Sequence, residues 1–266
     1  MPASAAPSPP PFTLSPLADE GRRLAEIASE AADLVRSYWR AGVRVERKAD
    51  ASPVTEADRR AEALILERLG AAYPGVTVVG EEDCADCGTP DQAPERFFLV
   101  DPVDGTRAFV SGSPEFTVNI ALVEHGRPAA GAVATPADGR LWFTANSGAV
   151  LRAEGEDRIV RARPRPEEPL GLVSCSMGDA EAQRLGLRYG FLRWKAMNSS
   201  LKLVTIAEGS ADIYPRTGPT SEWDIAAGQA VLEAAGGRVV TADGLPLGYG
   251  KAQAGFLNPP FTAEGR

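Results

Sequence analysis

The sequence predicts two mixed halves, an α+β half followed by an α/β half. Three observations lead there. Two helical patterns come before residue 70. Apolar runs separated by turn residues then continue to residue 152. Beyond a proline-rich stretch, strand and helix signals alternate one by one. With 266 residues, 44% hydrophobic and 24% charged, the chain is long enough for one large domain or two small ones around a real core.

Residues 1–14 are rich in Pro, Ala and Ser. They lack the basic start and continuous apolar stretch of a secretory signal, and read as a disordered leader. Ser15 before Pro16, with Asp19 and Glu20 in the first turn, opens a helix. Leu24, Ile27, Ala28, Ala31, Leu34, Val35 and Tyr38 recur through it at helical spacing. Residues 43–50 alternate weakly and end in a polar loop. After Pro53, Thr55 caps a second helix with Ala61, Leu64, Ile65 and Leu69 on its buried face. Residues 76–82 form a short strand ending in Gly80, Glu81 and Glu82.

Residues 97–100 read as a buried strand, followed by a short helical or irregular piece to Gly112. Residues 116–123, 129–135, 140–145 and 148–152 read as antiparallel strands, joined by tight turns such as His125-Gly126 and Asp138-Gly139. Residues 162–169, with three prolines, read as a linker. Strands at 171–175, 191–195, 211–215 and 237–241 then alternate with helices at 179–187, 200–208 and 224–235. The expected division is therefore an N-terminal half over 15–165 and a C-terminal half over 166–266. There are no internal repeats.

A formal charge of −8 argues against nucleic acid or an anionic membrane as the main partner. No apolar run reaches the length of a membrane span. Cys84, Cys87 and Cys175 do not build a disulfide framework, which suits a reducing cytoplasm. Cys84 and Cys87 form a lone C-x-x-C without the second pair that structural zinc needs. They are either incidental loop thiols or a redox handle on that loop. His125, the only histidine, falls in a turn and reads as a surface residue.

The stretch FFLVDPVDGT at 97–106 carries the most chemistry. The strand delivers Asp101 and Asp104, then Gly105 and Thr106 at what reads as a helix start. Pro102 holds Asp101 extended, and the bare N–H groups of Gly105 and Thr106 offer a seat for phosphate. Two carboxylates beside an anion seat make chemical sense with cations between them. Asp, Pro and Gly also make an ordinary turn. Asp58, three residues after the cap Thr55, is either a capping-box acid or a carboxylate that orients a catalytic hydroxyl. Asp224, before the apolar helix Ile225-Ala226-Ala227, is either an N-cap or a metal ligand.

Four separated segments, 53–62 (PVTEADRRAE), 80–82 (GEE), 101–106 (DPVDGT) and 223–228 (WDIAAG), resemble the lithium-sensitive, magnesium-dependent phosphatases typified by inositol monophosphatase. Longer stretches, EFTVNIALVEHG at 115–126, SSLKLVTIAEG at 199–209, ADIYPRTG at 211–218 and FLNPPF at 256–261, resemble the 3′(2′),5′-bisphosphate nucleotidase branch, the bacterial CysQ type. The resemblance covers nearly all of residues 20–262.

The resemblance implies a layered αβαβα sandwich and two or three Mg²⁺ ions per active site. Glu81, Asp101 and the Val103 carbonyl match the ligands of the first ion; Asp101, Asp104 and Asp224 match those of the second. Thr106, oriented by Asp58, matches the hydroxyl that activates the attacking water, and the N–H groups of Gly105 and Thr106 match the phosphate seat. Lys202 and Arg216, with Ser199 alongside, match residues lining a nucleotide pocket. As plain structure, Lys202 is a snorkelling helix residue and Arg216 a strand-end surface charge. Glu81 and Asp224 border the same substrate.

The implied reaction is hydrolysis of the 3′-phosphate of adenosine 3′,5′-bisphosphate to AMP, or of its sulfated analogue. The rival is hydrolysis of inositol monophosphate or a related small phosphomonoester. The resemblance further implies a monomer or homodimer that is cytoplasmic or peripheral on the inner membrane. Two departures stand out. Ser174-Cys175-Ser176-Met177 lacks the histidine of a Ser-Arg-Ser-His stretch, leaving a thioether to pack against a base. Ala108 replaces a glutamate after Arg107.

Overall fold

The computed structural model describes residues 18–41, 45–47 and 53–266. The leader, the Ser15-Pro16 helix start and most of the weakly alternating stretch at 43–50 lie outside them. The elements in chain order are α1 (Ala18–Ala41), β1 (Val45–Arg47), β2 (Pro53–Thr55), α2 (Glu56–Ala72), β3 (Thr77–Gly80), α3 (Glu81–Cys87), β4 (Arg96–Asp104) and α4 (Thr106–Val110). β5 (Thr117–Glu124), β6 (Arg127–Ala134), β7 (Leu141–Ala145), β8 (Gly148–Ala153) and β9 (Glu156–Val160) follow. The remainder is β10 (Leu170–Ser174), α5 (Asp179–Tyr189), β11 (Arg193–Met197), α6 (Leu201–Ala207), β12 (Ile213–Arg216), α7 (Glu222–Ala234), β13 (Arg238–Thr241) and β14 (Phe261–Glu264).

Strands β3 to β9 form one seven-stranded sheet in chain order, parallel only at β3–β4. A five-stranded sheet runs β11-β10-β12-β14-β13. In β4, Phe98 and Val100 point to one face and Phe97 and Leu99 to the other, because successive side chains alternate across a strand. The first pair packs under α1 and α2 with Leu24, Ile65, Ile120 and Leu122. The second packs with Val123, Trp142, Leu203, Val231 and, from the second sheet, Tyr214 and Phe261. Both faces of the central strands are thus buried, which explains their unbroken apolar runs. On the far side of the second sheet, Val173 and Ile213 pack with Ala182 and Leu185 of α5. The order of layers is α1/α2, sheet, α6/α7, sheet, α5, the expected αβαβα sandwich.

Four elements escape the sequence pattern, the first being β2, a three-residue strand paired with β1 where only a helix start is expected. β9 (EDRIV) is an edge strand, exposed except at Val160, so it shows no apolar run. β14 has four residues and follows two prolines. α3 (EEDCADC) is acidic rather than amphipathic, and it places Cys84 and Cys87 on a helix, not in a loop. The Pro-rich stretch after β9 has no regular structure, yet its backbone is tied down by Ala162 N–H to Ala235 O at 3.0 Å and Arg165 N–H to Arg266 O at 3.1 Å.

Candidate active site

The parity of β4 creates the site. Side chains three apart on a regular strand face opposite ways. Between Asp101 and Asp104 the register slips: Asp101 pairs with Asn119 and Asp104 with Thr117. Thr117 and Asn119 are two apart and share a face, so a bulge at Pro102-Val103 brings both aspartates to that same side. Pro102 has no N–H to give a ladder, so the bulge forms there at little cost. The shared face is the one that carries Phe97 and Leu99, between the two sheets.

Other elements converge on it. Asp101 is buried, and its Oδ1 accepts the Val103 N–H at 3.0 Å. Asp104 Oδ2 accepts the Ser200 N–H at 2.5 Å and Asn119 Nδ2–H at 3.4 Å. Asp224 is the third residue of α7; its Oδ2 accepts the Ser221 N–H at 2.9 Å, completing a capping box. Glu81 is the first residue of α3. The start of α3 is pinned by buried Glu62, which accepts the N–H groups of Glu82 at 2.9 Å and Asp83 at 2.7 Å.

Burial and nearby carboxylates oppose ionisation of Asp101, Asp104 and Asp224. The Asp101 carboxyl is pushed well above the usual carboxylate range by burial, then by the charges of Glu81, Asp104 and Asp224. Asp224 is raised well above it by burial, then by Asp104 and Glu81. Asp104 is also raised by burial, with Lys202 opposing. Among the described residues no three acidic, histidine or cysteine side chains have closed into a metal cage. The donor set nonetheless fits a hard divalent cation: carboxylates and the Val103 carbonyl offer only oxygen, and buried carboxylates need opposite charge.

Asp58 takes the capping-box place that the sequence offers, and its second oxygen reaches the Thr106 hydroxyl. Its Oδ2 accepts the Thr55 N–H at 2.9 Å and the Thr55 hydroxyl at 2.5 Å, capping α2. Its Oδ1 stands 3.4 Å from Thr106 Oγ1, whose single hydrogen is shared between Asp58 Oδ1 and the nearer Val103 O at 3.0 Å. Burial first, with the Glu81 charge adding, pushes the Asp58 carboxyl up to about 6 against the Thr55 hydrogen bonds. Gly105 has φ +93, and a Cβ there would come within 3.1 Å of Glu115 O, so glycine suits the turn that precedes Thr106.

Beside Asp104 and Asp224 opens a cavity of about 120 Å³, whose walls include Ser199, Lys202, Tyr214 and Arg216. Lys202 is buried; its Nζ donates to Ser199 O at 2.6 Å and Met197 O at 3.0 Å, and lies 5.1 Å from the Tyr214 ring centre. Burial brings it down to about 8. Arg216 donates to Gly218 O at 3.1 Å and Pro219 O at 2.6 Å. Met177 does not line this cavity; it packs with Val173, Leu185 and Phe191 under α5. His125 sits in its turn with an exposed side chain 3.7 Å from Glu95. Asn119, Ser200 and Glu62 were not singled out by the sequence. A polar residue inside the apolar run TVNIALV is the one signal that marks Asn119.

The sequence pattern of the inositol monophosphatase family matches residues 19–260. The chain is 39% identical over 245 residues to the 3′(2′),5′-bisphosphate nucleotidase CysQ of Escherichia coli (strain K12), covering 91% of this chain and 98% of that one. It is 34% identical to the histidinol-phosphatase of Mycobacterium tuberculosis, covering 84% and 88%. Its structure is similar to CysQ from Bacteroides thetaiotaomicron, with TM-score 0.74 and 30% identity over 93% of this chain and 97% of that one. These relatives give the class, a phosphatase. Within that class, the chain belongs to the inositol monophosphatase family.

Proposed function

We propose that the enzyme hydrolyses the 3′-phosphate of adenosine 3′,5′-bisphosphate, giving AMP and phosphate, with magnesium bound. The sulfated analogue is a further substrate of the same kind. The reading rests on one juxtaposition: Lys202 and Arg216 line the same cavity as Asp104 and Asp224. A bisphosphate has a second anion beyond the reach of the cation site, and two basic side chains answer it. The relatives named as bisphosphate nucleotidases support this choice.

Magnesium would be held by Glu81, Asp101, the Val103 carbonyl, Asp104 and Asp224. When bound, it neutralises the phosphate and lowers the pKa of a water. The protein's own groups do the rest. The N–H groups of Gly105 and Thr106 hold the phosphate, and Thr106, backed by Asp58, orients the attacking water. The new P–O bond forms to water as the P–O3′ bond breaks, and the nucleoside oxygen leaves with a proton. Ser199 borders the nucleotide. The reading carries with it a cytoplasmic location, a monomer or homodimer, and ligands split between halves at 15–165 and 166–266. Among the described residues no helix is long and apolar enough to cross a membrane.

A second reading, hydrolysis of a simple phosphomonoester, is favoured by Met177, which leaves the cavity without a stacking side chain from that segment. Phosphate release from adenosine 3′,5′-bisphosphate, inositol 1-phosphate and histidinol phosphate, measured side by side in magnesium, decides between them. Strong preference for the bisphosphate is the expected result. Preference for either monoester overturns the nucleotide assignment and keeps the family.

A further inference from the structure

A chain of buried polar groups runs behind Asp104, and each of its hydrogens has only one consistent direction. Asp104 Oδ2 is a carboxylate oxygen and accepts from Asn119 Nδ2–H at 3.4 Å and from the Ser200 N–H at 2.5 Å. With its amide nitrogen facing Asp104, Asn119 presents Oδ1 as an acceptor, and the Ser200 hydroxyl donates to it at 2.7 Å. That uses the one hydroxyl hydrogen of Ser200. Thr117 Oγ1, 2.8 Å from Ser200 Oγ, must therefore be the donor in that contact. Thr117 and Asn119 are fully buried and Ser200 nearly so. Polar groups this deep fix one geometry when every member is satisfied.

The chain also joins the two layers. Thr117 and Asn119 belong to β5 in the first sheet, while Ser200 caps α6 beside the second. The turn that presents the Ser200 N–H is itself fastened: Ser199 has φ +53, and Lys202 Nζ donates to Met197 O and Ser199 O on either side of it. Both donors to Asp104 meet the same oxygen, so the other oxygen, Oδ1, is turned away from the chain.

We infer that Thr117, Asn119 and Ser200 are positioning residues that hold Asp104 by Oδ2 and leave Oδ1 to a divalent cation. This rests on the proposed role of Asp104 as a cation ligand. Thr117 touches neither cation nor substrate in that role; its hydroxyl donates to Ser200 Oγ and so supports the bonds in front of it.

The test is Mn²⁺ titration into the metal-free protein by calorimetry, with Tm measured alongside, for wild type and for Asp104→Asn, Ser200→Ala, Thr117→Val and Thr117→Ser. Losing one hydrogen bond that supports a charged group is worth about tenfold in binding. Ser200→Ala and Thr117→Val are each expected to weaken Mn²⁺ binding about tenfold, and Thr117→Ser to keep the wild-type value. If Ser200→Ala does not fold, Thr117→Val against Thr117→Ser carries the comparison. Mn²⁺ binding within about twofold of wild type in Thr117→Val, beside a lost binding step in Asp104→Asn, makes the chain merely structural and overturns the inference. An unchanged titration in Asp104→Asn overturns the ligand role instead, and the inference with it.

Discussion

Asp58 Oδ1 lies 3.4 Å from Thr106 Oγ1 across 48 positions of the chain, while Asp58 Oδ2 caps the helix on which it stands. One carboxyl therefore ties a helix terminus to the Thr106 hydroxyl beside the proposed phosphate seat. Thr106→Ala and Asp58→Asn are each expected to lower kcat by roughly 10²–10³-fold with ligand binding retained. The double variant should be no worse than the poorer single one, because the two groups act as a unit. Thr55→Ala, which removes the cap contact to Ala57 N–H and the hydroxyl bond to Asp58 Oδ2 but leaves Asp58 Oδ1 facing Thr106, should cost stability of about 1 kcal/mol and leave kcat within a few-fold. Steady-state kinetics with product-inhibition constants separates the two effects. Equal kcat losses in Thr55→Ala and Thr106→Ala would return Asp58 to a purely structural role.

The acidic cluster also sets how stability changes with pH. Asp58, Asp101, Asp104 and Asp224 are all raised above 3.8, as is Glu62 above 4.5, burial being the largest cause in each. For a raised acid, the stability contribution is present below the unfolded pKa and is lost as pH rises through the folded one. Asp138, Asp157 and Asp212 are lowered and finish titrating in more acidic solution. Lys202, lowered to about 8, acts on the alkaline side. Between about pH 5 and 7 the raised acids therefore dominate. Tm of the metal-free protein should fall across this range in EDTA, and magnesium should flatten or reverse the slope. Scanning calorimetry gives the answer, and a rising Tm in EDTA would contradict it.

Arg216 and Lys202 line the same cavity but differ in what else they do. Arg216 is partly exposed and bonds two carbonyls just downstream of itself. Lys202 is buried and fastens the turn that contacts Asp104. Arg216→Ala should raise KM for adenosine 3′,5′-bisphosphate by about tenfold, the worth of one charge-assisted contact, and leave inositol 1-phosphate turnover near its original value. Lys202→Ala should raise that KM and also lower Tm and the turnover of every substrate. An unchanged KM in Arg216→Ala would place the second phosphate elsewhere.

The sequence carried the layers well because both faces of β4 and β5 are buried, so their runs are unbroken. It did not carry α3, whose residues follow no apolar period and whose start is fixed from outside by Glu62. In the site, Asp58 was legible only as an alternative between cap and catalysis. Two oxygens on one carboxyl allow both, and no local pattern reveals which neighbour the second oxygen meets. The sequence placed Asp101 and Asp104 together beyond a strand ending at residue 100; that the strand runs on to Asp104 through a bulge, in register with Thr117 and Asn119, became visible only in the fold. Ser200 was hidden because its contact with Asp104 joins positions 96 residues apart.

Gly80 supplies the last and most local test. It precedes α3 with an ordinary extended backbone, φ −103, so glycine is not there for conformational freedom. An added Cβ would lie 2.6 Å from the Glu62 carboxyl carbon and from Oε2. Glu62 cannot withdraw without releasing the N–H groups of Glu82 and Asp83, which lack helical partners at the start of a helix. Glu81, the first of the seven residues of α3, directly follows this contact. Gly80→Ala should therefore cost about 1–3 kcal/mol, the range for overpacking a tight site, and weaken Mn²⁺ binding through Glu81. Gly70→Ala in α2 is the control: nothing stands within 4 Å of its added methyl, and alanine should stabilise the helix by up to about 1 kcal/mol with Mn²⁺ binding unchanged. Urea unfolding and the Mn²⁺ titration measure both. Wild-type stability and cation binding in Gly80→Ala would mean that Glu62 has room to move, and that something other than this contact holds Glu81 in place.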